Sequence, residues 1–320
     1  MEKKDFRIIF MGTPGFAVSA LEALVNDGQN IVAVITAPDK PAGRGLNLKE
    51  SEVKQYALTQ NLPILQPDKL KDPLFVEKLQ KLQPDLAVVV AFRMLPEVIW
   101  AMPRLGTINL HASLLPQYRG AAPINWAIMN GEQVTGITTF FIEKEIDTGK
   151  VIGKAEIEIT NEDTAGTLHD KLAQAGAGLL TETVNSIRLG NYSPISQDQL
   201  KSDVLLKPAP KIFRENCKIN WNQPVKEIYN FIRGLSPYPG AWTMISTTEG
   251  AKTFKILSCE MVHTKLQQAG MIYLDKNSFR ISGIDGFIII HQLQPEGKRV
   301  MKIDEFLHGN REASLTIIRY

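Results

Sequence analysis

Leu86-Ala87-Val88-Val89-Val90-Ala91 is an unbroken apolar run with no polar face. A strand of this kind must be covered on both sides, which is the situation of a parallel sheet flanked by helices. Working outward from it, short β-branched runs at 7–11, 31–36 and 63–66 alternate with amphipathic stretches at 16–25, 51–60 and 73–82, a βαβ rhythm. Further strands are expected at 106–110, 136–142 and 151–159, and a long helix over 164–188. The first part of the chain is therefore expected to fold as an α/β, Rossmann-like open sheet that is mostly parallel.

From 190 to 210 this rhythm dissolves into a polar stretch containing Pro194, Pro208 and Pro210, which reads as a linker. The expected organisation is a catalytic domain at 1–190, a linker at 191–207 and a smaller domain at 208–320. In the last of these, a helix at 225–232 is stopped by Pro237-Tyr238-Pro239-Gly240. Alternating runs follow at 241–246, 253–259, 279–282 and 286–293, the spacing of a small β-barrel or sandwich.

Composition agrees with two folded domains. Of 320 residues, 44% are hydrophobic and 22% charged, with a formal net charge of +2, which excludes a disordered or collagenous chain. The apolar runs are far shorter than the roughly 20 residues needed to span a bilayer, so no membrane partner is expected. The start of the chain, Met1-Glu2-Lys3-Lys4-Asp5-Phe6-Arg7, lacks a secretory apolar core, and a cytoplasmic location is expected. Only Cys217 and Cys259 occur, without metal-ligand spacing, so both are read as packing residues and no metal is expected. Residues 1–200 carry 19 basic and 23 acidic side chains, against 17 and 11 in residues 201–320. The last third is thus the basic part and suits a polyanionic partner.

Three segments carry chemistry. In Ile108-Asn109-Leu110-His111, strand alternation puts Asn109 and His111 on one side, at the carboxyl end where open α/β sheets keep their sites. An amide donor two residues from a titratable imidazole suits chemistry on a carbonyl. Asp147-Thr148-Gly149 adds a carboxylate in a turn; an aspartic-protease dyad would need a second copy, which the chain lacks. The loop Pro38-Asp39-Lys40-Pro41-Ala42-Gly43-Arg44-Gly45-Leu46-Asn47-Leu48-Lys49 carries Lys40, Arg44 and Lys49 between glycines and prolines, a candidate nucleic-acid contact. Gly12-Thr13-Pro14-Gly15, after the first strand, lacks the dinucleotide fingerprint and reads as a tight strand-to-helix turn.

Taken together, Gly12-Thr13-Pro14, Pro41-Ala42-Gly43-Arg44-Gly45, Asn109-Leu110-His111-Ala112-Ser113-Leu114-Leu115-Pro116, Arg119-Gly120-Ala121-Ala122-Pro123-Ile124 and Asp147-Thr148-Gly149 resemble the methionyl-tRNA formyltransferase family among the folate-dependent formyltransferases. The resemblance implies transfer of a formyl group from 10-formyltetrahydrofolate to the α-amino group of methionine on initiator Met-tRNA, without a metal; nothing in the sequence suggests an obligate dimer, so a monomer is expected. It implies Asn109, His111 and Asp147 as the catalytic residues and Ser113, Leu114, Leu115 and Pro116 as the folate-binding segment. It further implies Lys40, Arg44 and Lys49 as tRNA contacts, and a C-terminal OB-like barrel that also holds tRNA. Two places depart from the family pattern, Arg93 in Ala91-Phe92-Arg93-Met94-Leu95-Pro96 and the segment Glu143-Lys144-Glu145.

The residue types match that reaction. An amine attacking a formyl amide creates a negatively charged oxygen that Asn109 can stabilise. His111 can assist the oxyanion or accept the amine proton, while Asp147 orients the ring or a water. A formyltransferase acting on glycinamide ribonucleotide or an amino sugar would leave the basic C-terminal part unexplained. A non-catalytic RNA-binding module would leave Asn109, His111 and Asp147 without a purpose.

Overall fold

The computed structural model describes residues 1–42, 47–200, 205–248, 250–265, 268–309 and 315–317. Arg44 lies outside the described residues.

The first compact unit comprises Met1–Gly120, Val134–Glu158 and His169–Pro208. Its strands are β1 (Arg7–Gly12), β2 (Asn30–Ile35), β3 (Lys40–Ala42), β4 (Asn47–Lys49), β5 (Ile64–Leu65), β6 (Leu86–Val90), β7 (Thr107–His111), β8 (Val134–Phe141) and β9 (Val151–Glu158). Seven of them form one sheet in the order β5-β2-β1-β6-β7-β8-β9. The pairings from β5 to β7 are parallel, and β8 and β9 are added antiparallel.

Burial accounts for the apolar runs. Every residue of β6 is buried. Along β1, Ile9 and Met11 pack with Ala87, Val89, Phe75 and Leu79 in one core cluster, while Ile8 and Phe10, with the opposite parity, are fully buried as well. Each such side chain contributes roughly 1.5–3 kcal/mol relative to exposure. Gly12 is required by close approach, because a Cβ there would lie 2.6 Å from Ala17 Cβ and 3.1 Å from the Val90 carbonyl oxygen.

Local signals set the helices α1 (Gly15–Asn26), α2 (Glu52–Thr59) and α3 (Pro73–Lys81). Ser51 caps α2 by accepting from the Lys54 amide. Asp72 caps α3, with Pro73 at its first position and Lys78 and Lys81 in its last turn, where a cation complements the helix dipole. The short α4 (Glu97–Trp100) follows, and α5 (Pro123–Met129) lies in the second unit. The expected long helix is α6 (Ala165–Leu189).

The chain leaves β1 toward β2 and β5 on one side, and returns to β6 and β7 on the other. The topological switch therefore lies between the carboxyl ends of β1 and β6, where open α/β sheets form their ligand crevice. Ala91, immediately after β6, has φ +46°.

The loop expected at 38–49 contains the two-stranded hairpin β3–β4, in which Lys40 stands opposite Lys49. Its root is held by Lys54, which pairs with Asp39 on one side and with Glu50 at 2.9 Å on the other. A hairpin was not legible here because two prolines and two glycines mask the short alternation.

The second unit comprises Ala121–Gln133, Ile159–Leu168 and Ala209–Tyr320. Its strands β10 (Ala241–Thr247), β11 (Gly250–His263), β12 (Ile272–Leu274), β13 (Phe279–Ser282), β14 (Gly286–Pro295), β15 (Met301–Lys302) and β16 (Thr316–Ile317) form an antiparallel sheet ordered β12-β13-β14-β11-β10-β16, with β15 on β14. The register breaks around Ser258 in β11, and such irregularities bend a strand and let a sheet curl. The result is a nearly closed barrel, as expected. It is capped by α7 (Val225–Gly234), whose Val225, Ile228 and Ile232 share one buried face. From α8 (Ile303–Gly309), Phe306 stacks on Phe279 at 5.9 Å within the same core. Cys217 is buried, and Cys259 packs half-buried against that core.

No helix among the described residues is long and apolar enough to cross a membrane. Nor do those residues contain a group of three or more His, Cys, Asp or Glu side chains placed to hold a metal ion.

Candidate active site

Strand β7 carries Asn109 and His111, two residues apart, to the carboxyl end of the sheet beside β6. Asn109 is half-buried, and its side-chain amide has no hydrogen-bond partner among the described residues. It is a donor left free among the described residues, and an oxyanion site needs such a donor.

His111 is buried, with 7% of its surface exposed. Its Nε2 lies 2.9 Å from the Tyr118 carbonyl oxygen. A carbonyl only accepts, so this nitrogen carries the hydrogen and donates it, which leaves Nδ1 as the proton-exchanging atom of the neutral ring. Nδ1 lies 3.8 Å from Asp147 Oδ2, an ion pair whenever the ring is protonated. The ring edge packs against Phe140 at 6.4 Å.

Asp147 comes from the turn between β8 and β9. Its backbone is left-handed, with φ +55°, a conformation that aspartate tolerates better than most residues. Its Oδ2 also accepts from the Gly120 amide at 2.9 Å. Thr148 Oγ1 donates to the Glu145 carbonyl at 3.1 Å and tightens the turn. Gly149 completes it for a steric reason, since a Cβ there would stand 1.8 Å from the Phe141 carbonyl oxygen.

The segment 113–118 closes the other wall. Thr138, fully buried on β8, donates from Oγ1 to the Ser113 carbonyl at 2.7 Å and accepts from the Leu115 amide at 3.1 Å. Ser113 Oγ donates to the Gln117 carbonyl at 2.6 Å. The Leu115–Pro116 peptide is cis. Ser113 and Leu115 are buried, at 0% and 1% exposure, Pro116 is buried and Leu114 half-buried.

Arg93 donates from Nη1 to the Asp68 carbonyl at 2.9 Å and from Nη2 to the Pro67 carbonyl. It thereby ties the loop after β6 to the segment after β5. Lys40 and Lys49 are exposed. Two concavities lie apart from the Asn109–His111–Asp147 cluster. One, of about 690 Å³, is lined by residues including Arg7, Asp85 and Arg104. The other, of about 590 Å³, lies between α1 and α6 and includes Ser19, Glu22 and His169.

Sequence reasoning missed the supports of this cluster. Arg119 stood in a quoted motif without a role. Thr138 is one threonine in an apolar strand, and Gln197 is one glutamine in a polar stretch. Nothing in the residue pattern distinguishes either, because what recruits them is a partner distant in sequence.

This geometry has the parts needed for acyl transfer to an amine, and comparison with known proteins is consistent with it. A formyl transferase family model matches residues 6–184, and a formyl transferase C-terminal domain model matches residues 211–311. The chain belongs to the formyl transferase family. Within it, the chain is 54% identical to a methionyl-tRNA formyltransferase of Bacteroides thetaiotaomicron over 97% of this chain and 98% of that protein. It is 48% identical to a methionyl-tRNA formyltransferase of Flavobacterium johnsoniae over 97% of each. Among solved structures, an N-formyltransferase of Helicobacter canadensis, in complex with folinic acid and dTDP-3-aminofucose, shares the fold with a TM-score of 0.63 and 22% identity, covering 91% of this chain and 98% of that one. The resemblance read from the motifs is thus borne out at the level of whole sequences.

Proposed function

We propose that this protein transfers the formyl group of 10-formyltetrahydrofolate to the α-amino group of methionine on initiator Met-tRNA, acting in the cytoplasm as a monomer. The observation that carries the reading is the identity of about half the residues with methionyl-tRNA formyltransferases over 97% of the chain, which spans both domain models.

The residues present suit a formyl donor. The free Asn109 amide is available to the formyl oxygen as it gains negative charge. The methionine amine attacks the formyl carbon, a nitrogen–carbon bond forms, and the bond from that carbon to the folate nitrogen breaks. One amine proton must reach the leaving nitrogen. His111 Nδ1, or a water held between it and Asp147, is placed to carry it, because Nε2 is committed to the Tyr118 carbonyl. Asp147 offsets the positive charge that the ring acquires during this transfer. We assign Ser113, Leu114, Leu115 and Pro116 to the folate through their backbone groups. Lys40, Arg44 and Lys49 are assigned to phosphates of the tRNA.

Incubation with labelled 10-formyltetrahydrofolate and either Met-tRNA, glycinamide ribonucleotide or an amino-sugar nucleotide tests the proposal. Label is expected on Met-tRNA. Transfer to either of the other acceptors in its place would refute the assignment.

A further inference from the structure

Gln197 lies between the two family-matched regions, 6–184 and 211–311, in the stretch that reads from sequence as a linker. It is nevertheless 2% exposed and begins a short helical turn, Gln197–Leu200. Just before it, Ile195 bridges to Val151 of β9, with both backbone hydrogen bonds made, at 2.8 and 2.9 Å. This segment is therefore anchored within the first unit, directly behind the Asp147 turn.

The carboxamide of Gln197 is engaged on both sides, by that turn and by Arg119. Nε2 donates to the Asp147 carbonyl at 2.9 Å and to the Gly149 carbonyl at 2.8 Å. Oε1 accepts from both Nε and Nη2 of Arg119, at 3.0 and 2.6 Å. Arg119 lies between Tyr118, whose carbonyl accepts from His111 Nε2, and Gly120, whose amide donates to Asp147 Oδ2. The hydrogen bonds close a circuit running from the Arg119 side chain to Gln197, to the Asp147 backbone, and back through its carboxylate to the Gly120 amide, with the imidazole attached to the same segment at the Tyr118 carbonyl.

We propose that Gln197, oriented by Arg119, is a positioning residue that holds Asp147 in its left-handed conformation and so aims the carboxylate at His111 Nδ1. This inference rests on the reading of Asp147 as part of the transfer machinery. Two donors on one side and one acceptor on the other are needed, and of the side chains of this length only glutamine supplies both. In metal sites, partners that orient a ligand cost about 10- to 100-fold when removed, and a loss of the same order is expected where the group oriented is a carboxylate beside an imidazole.

The deciding variant is Gln197→Glu. It keeps the shape and the oxygen that faces Arg119, but turns an oxygen toward two carbonyls. Its kcat is expected to fall roughly 10- to 100-fold, with KM for both substrates within about 3-fold of the parent, because Gln197 is buried and its carboxamide is taken up by Arg119 and the Asp147 turn. The kcat–pH profile should shift as well, since the His111–Asp147 distance changes. Added to Asp147→Asn, the same substitution should cost less than about 2-fold more. Arg119→Met, which releases Gln197 from the opposite side, provides a second reading if Gln197→Glu does not fold, and should likewise lower kcat and move the profile. A parent-like kcat and pH profile per folded molecule, whatever the melting temperature, would overturn the role of Gln197. If Asp147→Asn itself retains the parent rate, the assignment of Asp147 fails and this inference with it. If Asp147→Asn is impaired while Gln197→Glu and Arg119→Met are not, only the positioning inference fails.

Discussion

Asn109→Ala should separate catalysis from stability. The amide is half-buried and unpartnered among the described residues, so its removal leaves no orphaned group behind. The cost to folding should stay within about 0.5 kcal/mol. The loss in the reaction is much larger, because a donor aimed at a developing oxyanion contributes about 3–4 kcal/mol of transition-state stabilisation, or about 100- to 1000-fold in kcat. The assay pairs steady-state formylation of Met-tRNA with thermal melting of the same preparation. A kcat within a few-fold of the parent would remove Asn109 from the mechanism. A melting curve showing a loss of about 2 kcal/mol or more would instead mark it as a structural residue, which the absence of partners argues against.

Thr138→Val is expected to act in the opposite way. It strips a fully buried hydroxyl that satisfies both the Ser113 carbonyl and the Leu115 amide, costing about 2–4 kcal/mol of stability; an unchanged denaturation midpoint would show that water replaces it. Arg44→Ala should raise KM for Met-tRNA and leave folate affinity intact, and unaltered tRNA kinetics would dismiss the loop reading. The double substitution of Lys40 and Lys49 by alanine should flatten the salt dependence of tRNA affinity by up to about two counterions, an effect visible as a smaller slope of log affinity against log salt. The hydrogen bond from Lys54, seconded by one from Gln66, holds the Asp39 carboxyl below its ordinary value of 3.8. That pairing stabilises the fold fully above the unfolded value and is lost as pH falls through the lower folded one. Lys54→Met should therefore lose less stability than the parent over that acid interval, and parallel acid-unfolding curves would contradict the assignment.

Much of the architecture was legible because burial leaves a periodic signature. The polar-free run at 86–91 became the fully buried β6 over its first five residues, the run at 279–282 became β13 with the same bounds, and the long amphipathic stretch became α6. Asn109 and His111 were readable as a pair because a strand's two-residue repeat is independent of its surroundings. Short strands such as β12, β15 and β16 escaped, since two or three residues hold no period and their pairing is fixed by neighbours far along the chain. The supports of the site escaped for a related reason. Gln197 and Arg119 meet across 78 positions, and neither is unusual in its own context. Sequence also leaves open which nitrogen of His111 reacts; that follows only from the Tyr118 carbonyl, which the chain brings back by turning sharply at 118–120.

Tying down Nε2 makes the imidazole a tool with a single working edge. Whatever exchanges a proton with it, acceptor amine or stray water, has to enter by the same doorway next to the carboxylate. An aminoacyl end lodged there would keep water from that edge for as long as it stays bound.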